Sequence, residues 1–456
     1  MTDSELRDRL NRLPLDELHD VQLEHGTLYL PDDFRQFWGE QYRVASELAA
    51  DVRRSLIVRK MARLLREITF SNATLPPGEY PNYFQYTNAH LLDWFVAPET
   101  ATLAHIKQRA FEGYCFLLRD LLEFEADSLG GVSRWLRENL DRARIAKRFD
   151  FIEEAFEAAR HAAAETLDLP IDPERSIPQL TTLEEYATEE SRLSALLRFT
   201  TFPLTQNHDE VVFLRVLHGS ELCFLGIRAC LTGAIEAIKQ DDFAYAAREL
   251  RHATSFTRLL HRLLKVLKTM PVEHFAAFRD YTGKASALQS VNYHLLDIYF
   301  RGLNTSKADH FKRVDHLKTL FRYGHPGFVS LRQALERAKP RLTPELSVAA
   351  EELDSQLLTW RGLHLSFAKT YIPRGEGGTG GTEGAAYLTQ FLWVGLFDHT
   401  EPDVRVVQEV FPETAGVPDI FRVFPRQGVA PRNPLRSRAT HEAPPRIVAP
   451  EVPDAA

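Results

Sequence analysis

The sequence predicts an all-α protein. Apolar residues recur at intervals of three or four over most of the 456-residue chain, which is the spacing of one face of a helix. No stretch of convincing length alternates apolar and polar residues as a half-buried strand does. Apolar residues make up 44% of the chain and charged residues 26%, a composition typical of a globular protein with a large core. The length suggests two or three domains.

Residues 1–175 are predicted to form an accessory helical domain. One apolar stripe runs through LAADVRRSLIVRKMARLLREITF, with arginines on the opposite face. The loop SNATLPPGEYPNYFQYTNAH follows, and its prolines, glycine and asparagines interrupt the helical pattern. Four aromatic rings crowd this loop, and they either pack the loop onto the helices or line a binding site: Tyr80, Tyr83, Phe84 and Tyr86.

Residues 176–425 are predicted to form a second helical domain, after the proline-rich linker LDLPIDPERSIPQL. Its first long helix contains HDEVVFLRVLHGSELCF, in which Phe213 and Leu217 share one face. His218 lies one residue further along, about 100° round the helix. A second long helix, beginning at DDFAYAAREL, follows after a short turn, which predicts an antiparallel helix pair.

An arginine lies behind two phenylalanines on a shorter predicted helix. Phe275 and Phe278 precede Arg279 in HFAAFRDYTG, and the glycine at the end of this segment stops the helix. A guanidinium in an apolar pocket can bind a carboxylate through two parallel hydrogen bonds. The alternative interpretation is a salt bridge to Asp280, Glu273 or another acidic residue.

A histidine and a glycine-rich loop lie close together near the end of the predicted domain. Trp360 and His364 share one face of a helix predicted from about Thr343 to Tyr371. The following segment, GEGGTGG, contains Thr379, and its glycines permit sharp turns and close approach to a ligand. The histidine is either a structural residue or a metal ligand, and the loop either binds a ligand or is only mobile.

Charge and cysteine content limit the classes of function. The net charge of −8 and the pI near 6.1 argue against nucleic acid as the main partner. No apolar run is long enough for a membrane span, and the first residues lack the apolar core of a signal peptide. Three cysteines cannot all pair and lack metal-site spacing, which favours a reducing cytoplasm: Cys115, Cys223 and Cys230.

Three segments in one order resemble the tryptophan 2,3-dioxygenase family of haem-dependent aromatic oxygenases. They are residues 208–224, residues 270–290 with FRDY and AS-x-x-QS, and residues 359–388 with a tryptophan four positions before a histidine and then GTGG. Residues 1–175 and the C-terminal tail are not covered. The resemblance implies a helical-bundle haem domain in residues 176–425.

The resemblance implies a role for each matching residue. His364 matches the histidine that binds the iron of haem b. Arg279 matches the arginine that holds the substrate carboxylate, and Thr379 matches the threonine that contacts the ammonium and carboxylate groups. Phe213 and Phe275 match residues that line the substrate pocket. The remaining matches are residues around the haem: Trp360, Ser286 and Tyr387.

The sequence also departs from the family pattern. Leu217 occupies the place of the family's distal histidine, and His218 would reach that side only through a helix irregularity such as a π-bulge. Both positions are therefore catalytic candidates. Ser220 replaces a family tyrosine, and only Tyr186 is available where the family has two tyrosines that reach a neighbouring subunit. These changes favour a specialised member.

The resemblance predicts a haem-dependent dioxygenase that inserts dioxygen into the indole C2–C3 bond of L-tryptophan or a close derivative. The alternatives are a haem monooxygenase, or another oxidative tailoring enzyme, acting on an aromatic amino acid in a specialised pathway, and a non-enzymatic helical scaffold. Homo-oligomers are expected from the relatives. Residues 426–456, rich in proline and arginine, are predicted to be disordered.

Overall fold

The computed structural model describes most of the chain as helices. The described ranges are 1–96, 101–131, 141–167, 171–283, 285–325, 327–373, 375–379, 384–392 and 394–396. Within these ranges the regular elements are α-helices and short 3-10 helices, with no strand, which confirms the predicted all-α class. No helix in the described ranges is long and apolar enough to cross a membrane.

The α-helices of the described ranges are numbered in chain order. They are α1 (Asp3–Asn11), α2 (Leu15–His25), α3 (Asp32–Ala50), α4 (Leu56–Thr74), α5 (Tyr83–Thr87), α6 (Ala89–Val96), α7 (Leu103–Gly130), α8 (Arg142–Thr166), α9 (Leu183–Tyr186), α10 (Arg192–Phe199), α11 (His208–Lys239), α12 (Phe243–Leu267), α13 (Val272–Thr282), α14 (Val291–Arg301), α15 (Ala308–Arg313), α16 (Leu331–Ala338), α17 (Pro344–Tyr371) and α18 (Ala385–Thr389). The 3-10 helices are Thr27–Tyr29, Ala287–Gln289, Thr305–Lys307, Asp315–Gly324 and Lys339–Arg341.

Helix α11 is the central helix of the fold. Asn207 caps its start by accepting a hydrogen bond from the Asp209 backbone N–H. Almost every side chain along α11 is buried, because α6, α7, α12, α13, α14 and α16 surround it. Gly226 permits close packing against α12, since a Cβ there would lie 2.5 Å from the ring of Phe256.

Helices α11 and α12 form the predicted antiparallel pair. A short turn joins them, in which Asp241 adopts a left-handed conformation with φ of 60°. Asp242 then caps α12 by accepting a hydrogen bond from the Tyr245 backbone N–H. The other face of α12 packs against α17, which brings the antiparallel pair close to the predicted histidine helix.

One hydrophobic core extends across the predicted boundary near residue 175. Phe111 and Ile152, from α7 and α8, belong to the same buried cluster as Leu225 and Leu260 of α11 and α12. A second cluster joins α3 and α4 to residues after the linker, through Trp38, Leu64, Tyr186 and Phe199. The division into domains 1–175 and 176–425 remains a prediction, and the two parts share their packing. The predicted tail, 426–456, falls outside the described residues.

Candidate active site

A cavity of about 240 Å³ lies between α5, α11, α13, α17 and α18. Its walls are mostly apolar, and a few polar side chains converge on it, which is the usual composition of a small-molecule site. Nine residues predicted from the sequence line it: Phe213, Leu217, Phe275, Arg279, Ser286, Trp360, His364, Thr379 and Tyr387. The structure therefore brings the three sequence segments together. The roles of these residues remain predictions.

The tenth predicted residue, His218, lies outside the cavity. Its side chain is completely buried, and its Nε2 atom lies 2.6 Å from the carbonyl oxygen of Thr87. Helix α11 is α-helical throughout, so no π-bulge turns this ring toward the cavity. Burial lowers the pKa of His218 to about 3, and the nearby Arg215 charge adds to this effect. The placement of His218 among the catalytic candidates is corrected, and Leu217 faces the cavity at this level of the helix.

At one end of the cavity, a histidine stacks on a tryptophan. The ring centroids of Trp360 and His364 lie 5.6 Å apart with 9° between the planes. Phe224 and Tyr293 contact the Trp360 ring at 5.6 and 5.8 Å. Burial lowers the pKa of His364 to about 4, so the imidazole is neutral near pH 7. Neither of its ring nitrogens hydrogen-bonds to any of the described residues, and the residue lines the cavity.

Local sequence explains why the histidine helix is so well defined. Thr343 caps α17 by accepting a hydrogen bond from the Leu346 backbone N–H, and Pro344 occupies the first helical position. The observed α17 agrees with the helix predicted from Thr343 to Tyr371. Its Trp360 is followed by Arg361, whose Nη2 donates to Asp297 Oδ1 of α14 at 3.2 Å.

A buried charge network connects α17 to α14 beside His364. The carboxylate of Asp297 accepts hydrogen bonds from Arg301, from Lys307 at 3.1 Å and from Arg361. Although burial acts in the opposite direction, these three cations hold the pKa of Asp297 well below its usual range. The network fixes the helix face that carries His364.

At the other end of the cavity, the arginine is paired with the glycine-rich loop. Phe275 and Phe278 pack edge to face at 5.4 Å just before Arg279. The Nη1 atom of Arg279 donates to Glu376 Oε2 at 2.9 Å, and its Nη2 atom donates to the Gly377 carbonyl at 2.7 Å. Arg279 therefore forms a salt bridge to an acidic residue, as the alternative interpretation of the sequence expected.

The acidic partner differs from the two that the sequence suggested by name. Glu273 and Asp280 are both exposed on α13, and Glu376 reaches the guanidinium from the loop instead. Helix α13 ends at Gly283, whose φ of 55° suits glycine. A Cβ at Gly283 would lie 2.2 Å from the Cβ of Tyr80, so the aromatic loop packs directly on this turn.

A buried polar network, which reaches the cavity through Tyr83 and Glu221, was not predicted. The Tyr83 hydroxyl donates to Glu221 Oε1 at 2.6 Å. The Asn292 amide donates to Glu221 Oε2 at 2.9 Å and to Asp93 Oδ1 at 3.0 Å. Burial raises the pKa of Glu221 and raises that of Asp93 to about 6. Glu221 lies one turn after Leu217 on an apolar helix face, and that position could have identified it.

Three of the four aromatic residues of the predicted loop lie on the short helix α5 instead. Of these, Tyr83 and Tyr86 line the cavity, and the Tyr86 ring stacks near Phe213 with centroids 6.4 Å apart. The binding-site alternative for the aromatic loop is therefore compatible with the structure. Residues from the first 175 positions complete a cavity built mainly from the second part of the chain.

Comparisons with known proteins agree with the sequence resemblance. Residues 174–325 match the family model described as tryptophan 2,3-dioxygenase. The tryptophan 2,3-dioxygenase of Burkholderia lata is 27% identical over 233 residues, which cover 43% of this chain and 75% of the relative. That of Burkholderia multivorans is 28% identical over 243 residues, covering 45% and 78%. That of Bacillus thuringiensis is 32% identical over 127 residues, covering 28% and 43%.

Proposed function

From the similarity of the C-terminal part of this chain to the tryptophan 2,3-dioxygenase family, we propose that the protein is a haem b-dependent oxygenase. It adds dioxygen to the indole C2–C3 bond of L-tryptophan or a close derivative. One observation carries the proposal: a neutral histidine, whose ring nitrogens hydrogen-bond to none of the described residues, shares an apolar cavity with an arginine. These residues are His364 and Arg279.

The residues present fit a haem. Among the described residues, no group of three or more His, Cys, Asp or Glu side chains could hold a metal ion. Haem iron takes most of its ligands from the porphyrin, so a single histidine such as His364 would be enough to hold it. Trp360, Ser286 and Tyr387 border the same space and would contact the macrocycle. When bound, the haem supplies the oxygen chemistry, which protein side chains alone do not perform.

The chain's own residues would bind and orient the substrate. Arg279 offers a planar fork to a carboxylate, and Thr379 offers a hydroxyl from the adjacent loop. Phe213 and Phe275 provide aromatic faces for an indole, with centroids 5.7 Å apart. Leu217 faces the cavity where a histidine would otherwise lie, so this part of the wall excludes water and holds no proton.

A second candidate is a haem monooxygenase, or another oxidative tailoring enzyme, acting on an aromatic amino acid. The hydrogen-bonded pair of Tyr83 and Glu221 favours it, because this pair can hold a proton in the cavity wall. An oxygenase that releases one oxygen atom as water consumes two protons and two electrons, whereas insertion of both atoms consumes neither. The pair could supply protons to the second reaction, and its electrons would come from an external reductant such as ascorbate.

The experiment is a comparison of spectra and products. The full chain, expressed with a haem precursor, should show a Soret band that His364→Ala loses and that His161→Ala, at an exposed position on α8, retains. Incubation with L-tryptophan, ascorbate and ¹⁸O₂ should give an N-formylkynurenine-type product carrying two labelled oxygen atoms. One labelled atom would favour the second candidate. A folded but colourless wild-type protein would overturn both and favour the scaffold alternative.

The proposal also covers the ligands, the oligomeric state and the cellular compartment of the enzyme. Its partners would be a small aromatic amino acid and dioxygen, and symmetric homo-oligomers would be consistent with most soluble assemblies. A reducing cytoplasm is supported by three free and buried cysteines: Cys115, Cys223 and Cys230. Size-exclusion chromatography with light scattering would test the assembly, and a monomer at micromolar concentration would contradict it.

A further inference from the structure

The guanidinium proposed to bind the substrate carboxylate already holds a carboxylate of the chain itself. Both terminal nitrogens of Arg279 are engaged, one by the Glu376 side chain and the other by the Gly377 carbonyl. A substrate carboxylate that uses the same two donors must displace these acceptors. The guanidinium of Arg279 therefore already binds a carboxylate, but this carboxylate belongs to the protein and not to a substrate.

Solvent exposure shows from which side the competitor arrives. The side chain of Arg279 is 14% exposed, whereas that of Glu376 is 52% exposed. Glu376 therefore reaches the guanidinium from the solvent side. An exposed carboxylate in such a pair exchanges readily with water or with another carboxylate.

Backbone packing presents Glu376 to the fork. Gly384, which begins α18, has a φ of 64°, and a Cβ there would lie 2.4 Å from the Glu376 carbonyl oxygen. The backbone of Glu376 thus packs directly on the start of α18. Thr379, a lining residue of the cavity, lies only three positions further along the same segment. Displacing the Glu376 side chain therefore does not require moving Thr379 away.

We propose that Glu376 is a specificity-determining residue, an internal carboxylate that competes with the substrate carboxylate for Arg279. This inference rests on the proposed function of the same cavity. It predicts that the protein discriminates against weak carboxylate ligands, because each must displace Glu376. Ligands that lack a carboxylate and bind through the indole ring alone do not meet this competition.

Calorimetric titration of the haem-loaded full chain tests the competition. The probes are L-tryptophan, indole-3-propionate and the neutral indole-3-propionamide. If Glu376 occupies Arg279 in most molecules, only the remaining fraction can bind a carboxylate ligand directly. Removing Glu376 then raises the apparent affinity by the inverse of that fraction, on the order of three- to tenfold. Glu376→Gln should tighten both carboxylate ligands by that factor and leave the amide within about twofold. Glu273→Gln, which removes an exposed charge from the same helix as Arg279, should change none of them.

The other possible results of the titration decide between the inference and the proposed function. Weaker binding of L-tryptophan with unchanged binding of indole-3-propionate would make Glu376 a partner of the substrate ammonium and overturn the proposal. Unchanged affinities, or no binding by either protein, would also overturn it. Turnover of tryptophan with unchanged affinities would retain the proposed function and reject the inference. Tightened carboxylate binding without oxygenase activity would retain the inference about Glu376 and reject the proposed function.

Discussion

The two ends of the cavity are held by different kinds of interaction. Around His364, long buried helices and the fully buried carboxylate of Asp297 fix each side chain through packing and charge. Around Arg279, a short helix meets a loop through a pair whose acidic member is half exposed. The first arrangement suits a cofactor that stays in place, and the second suits a substrate that enters and leaves.

This difference predicts that substitutions at the two ends have different consequences. Changes near His364 should alter the free energy of unfolding, because buried groups there lose their partners. Changes near Arg279 should alter ligand affinity and leave folding nearly intact, because the groups involved are partly solvated. Asp297→Asn, Arg279→Gln and Glu376→Gln test this contrast, and substitutions of two further buried carboxylates test the electrostatics of the core around the cavity.

The largest effect is expected for Asp297→Asn. The substitution leaves Arg301, Lys307 and Arg361 around a neutral amide, and breaking a buried ion pair costs about 3–5 kcal/mol. Urea titration of the purified protein should show this loss. Asp315→Asn, which removes an exposed partner of Lys318, should cost only about 0–1 kcal/mol. Equal effects of the two substitutions would contradict the rigid character assigned to the His364 end.

Arg279→Gln should act on binding. Loss of a charged hydrogen bond costs about 1.5–3 kcal/mol, which corresponds to roughly a tenfold to hundredfold weaker affinity for L-tryptophan. The melting temperature should change little, since Glu376 becomes a solvated carboxylate. Titration calorimetry and thermal unfolding of the same sample measure both quantities. Undiminished affinity would show that Arg279 does not hold the substrate.

The buried polar network of Tyr83, Glu221, Asn292 and Asp93 should give a characteristic pH dependence. Asp93 has a pKa raised to about 6 from its usual 3.8, so the folded protein binds its proton more tightly than the unfolded chain does. Its protonation therefore stabilises the fold at low pH, and this contribution disappears as the pH rises through about 6. Asp93→Asn should remove that dependence and gain about 1–3 kcal/mol relative to wild type between pH 4 and pH 7.

Asp209, a buried carboxylate whose pKa is lowered and not raised, provides the control. The pKa of Asp209 is lowered by hydrogen bonds from histidines and by the charge of Arg148, despite its burial. Asp209→Asn should therefore lose stability relative to wild type as the pH rises from strongly acid values to about 3.8, the usual pKa of an aspartate, and the loss should stay constant above it. Denaturant unfolding at several pH values compares the two variants, and the same sign for both would contradict the assignment of Asp93.

The smallest effect on folding is expected for Glu376→Gln. The pair with Arg279 is half exposed, and such pairs contribute about 0–1 kcal/mol. Thermal unfolding should therefore be almost unchanged while carboxylate affinity rises. A loss of several kcal/mol would show that the Arg279 end is as rigid as the His364 end and would remove the contrast.

Helical periodicity predicted much of the fold and the site. Because side chains on a regular helix turn by about 100° per residue, the orientation of Leu217 toward the cavity and of His218 away from it follows from spacing alone. The same argument placed Trp360 and His364 on one face, and their rings stack. Local sequence patterns were sufficient to predict side-chain orientation wherever the residues concerned lie on one helix.

Contacts between distant segments could not be predicted in this way. The Tyr83 hydroxyl meets a carboxylate 138 positions away in the sequence, and Arg279 meets one 97 positions away. Such pairs depend on how the helices pack, and several acidic residues were equally plausible partners for Arg279. The raised pKa of Asp93 likewise results from burial by helices that the sequence did not position.

The most direct test of the account is crystallography of the haem-loaded protein with anomalous scattering at the iron edge. The account predicts one iron peak in the cavity, within bonding distance of a His364 ring nitrogen, with the Arg279 guanidinium at the opposite end of the same cavity. An iron peak bound elsewhere, or a His364 ring that contacts no metal, would contradict it.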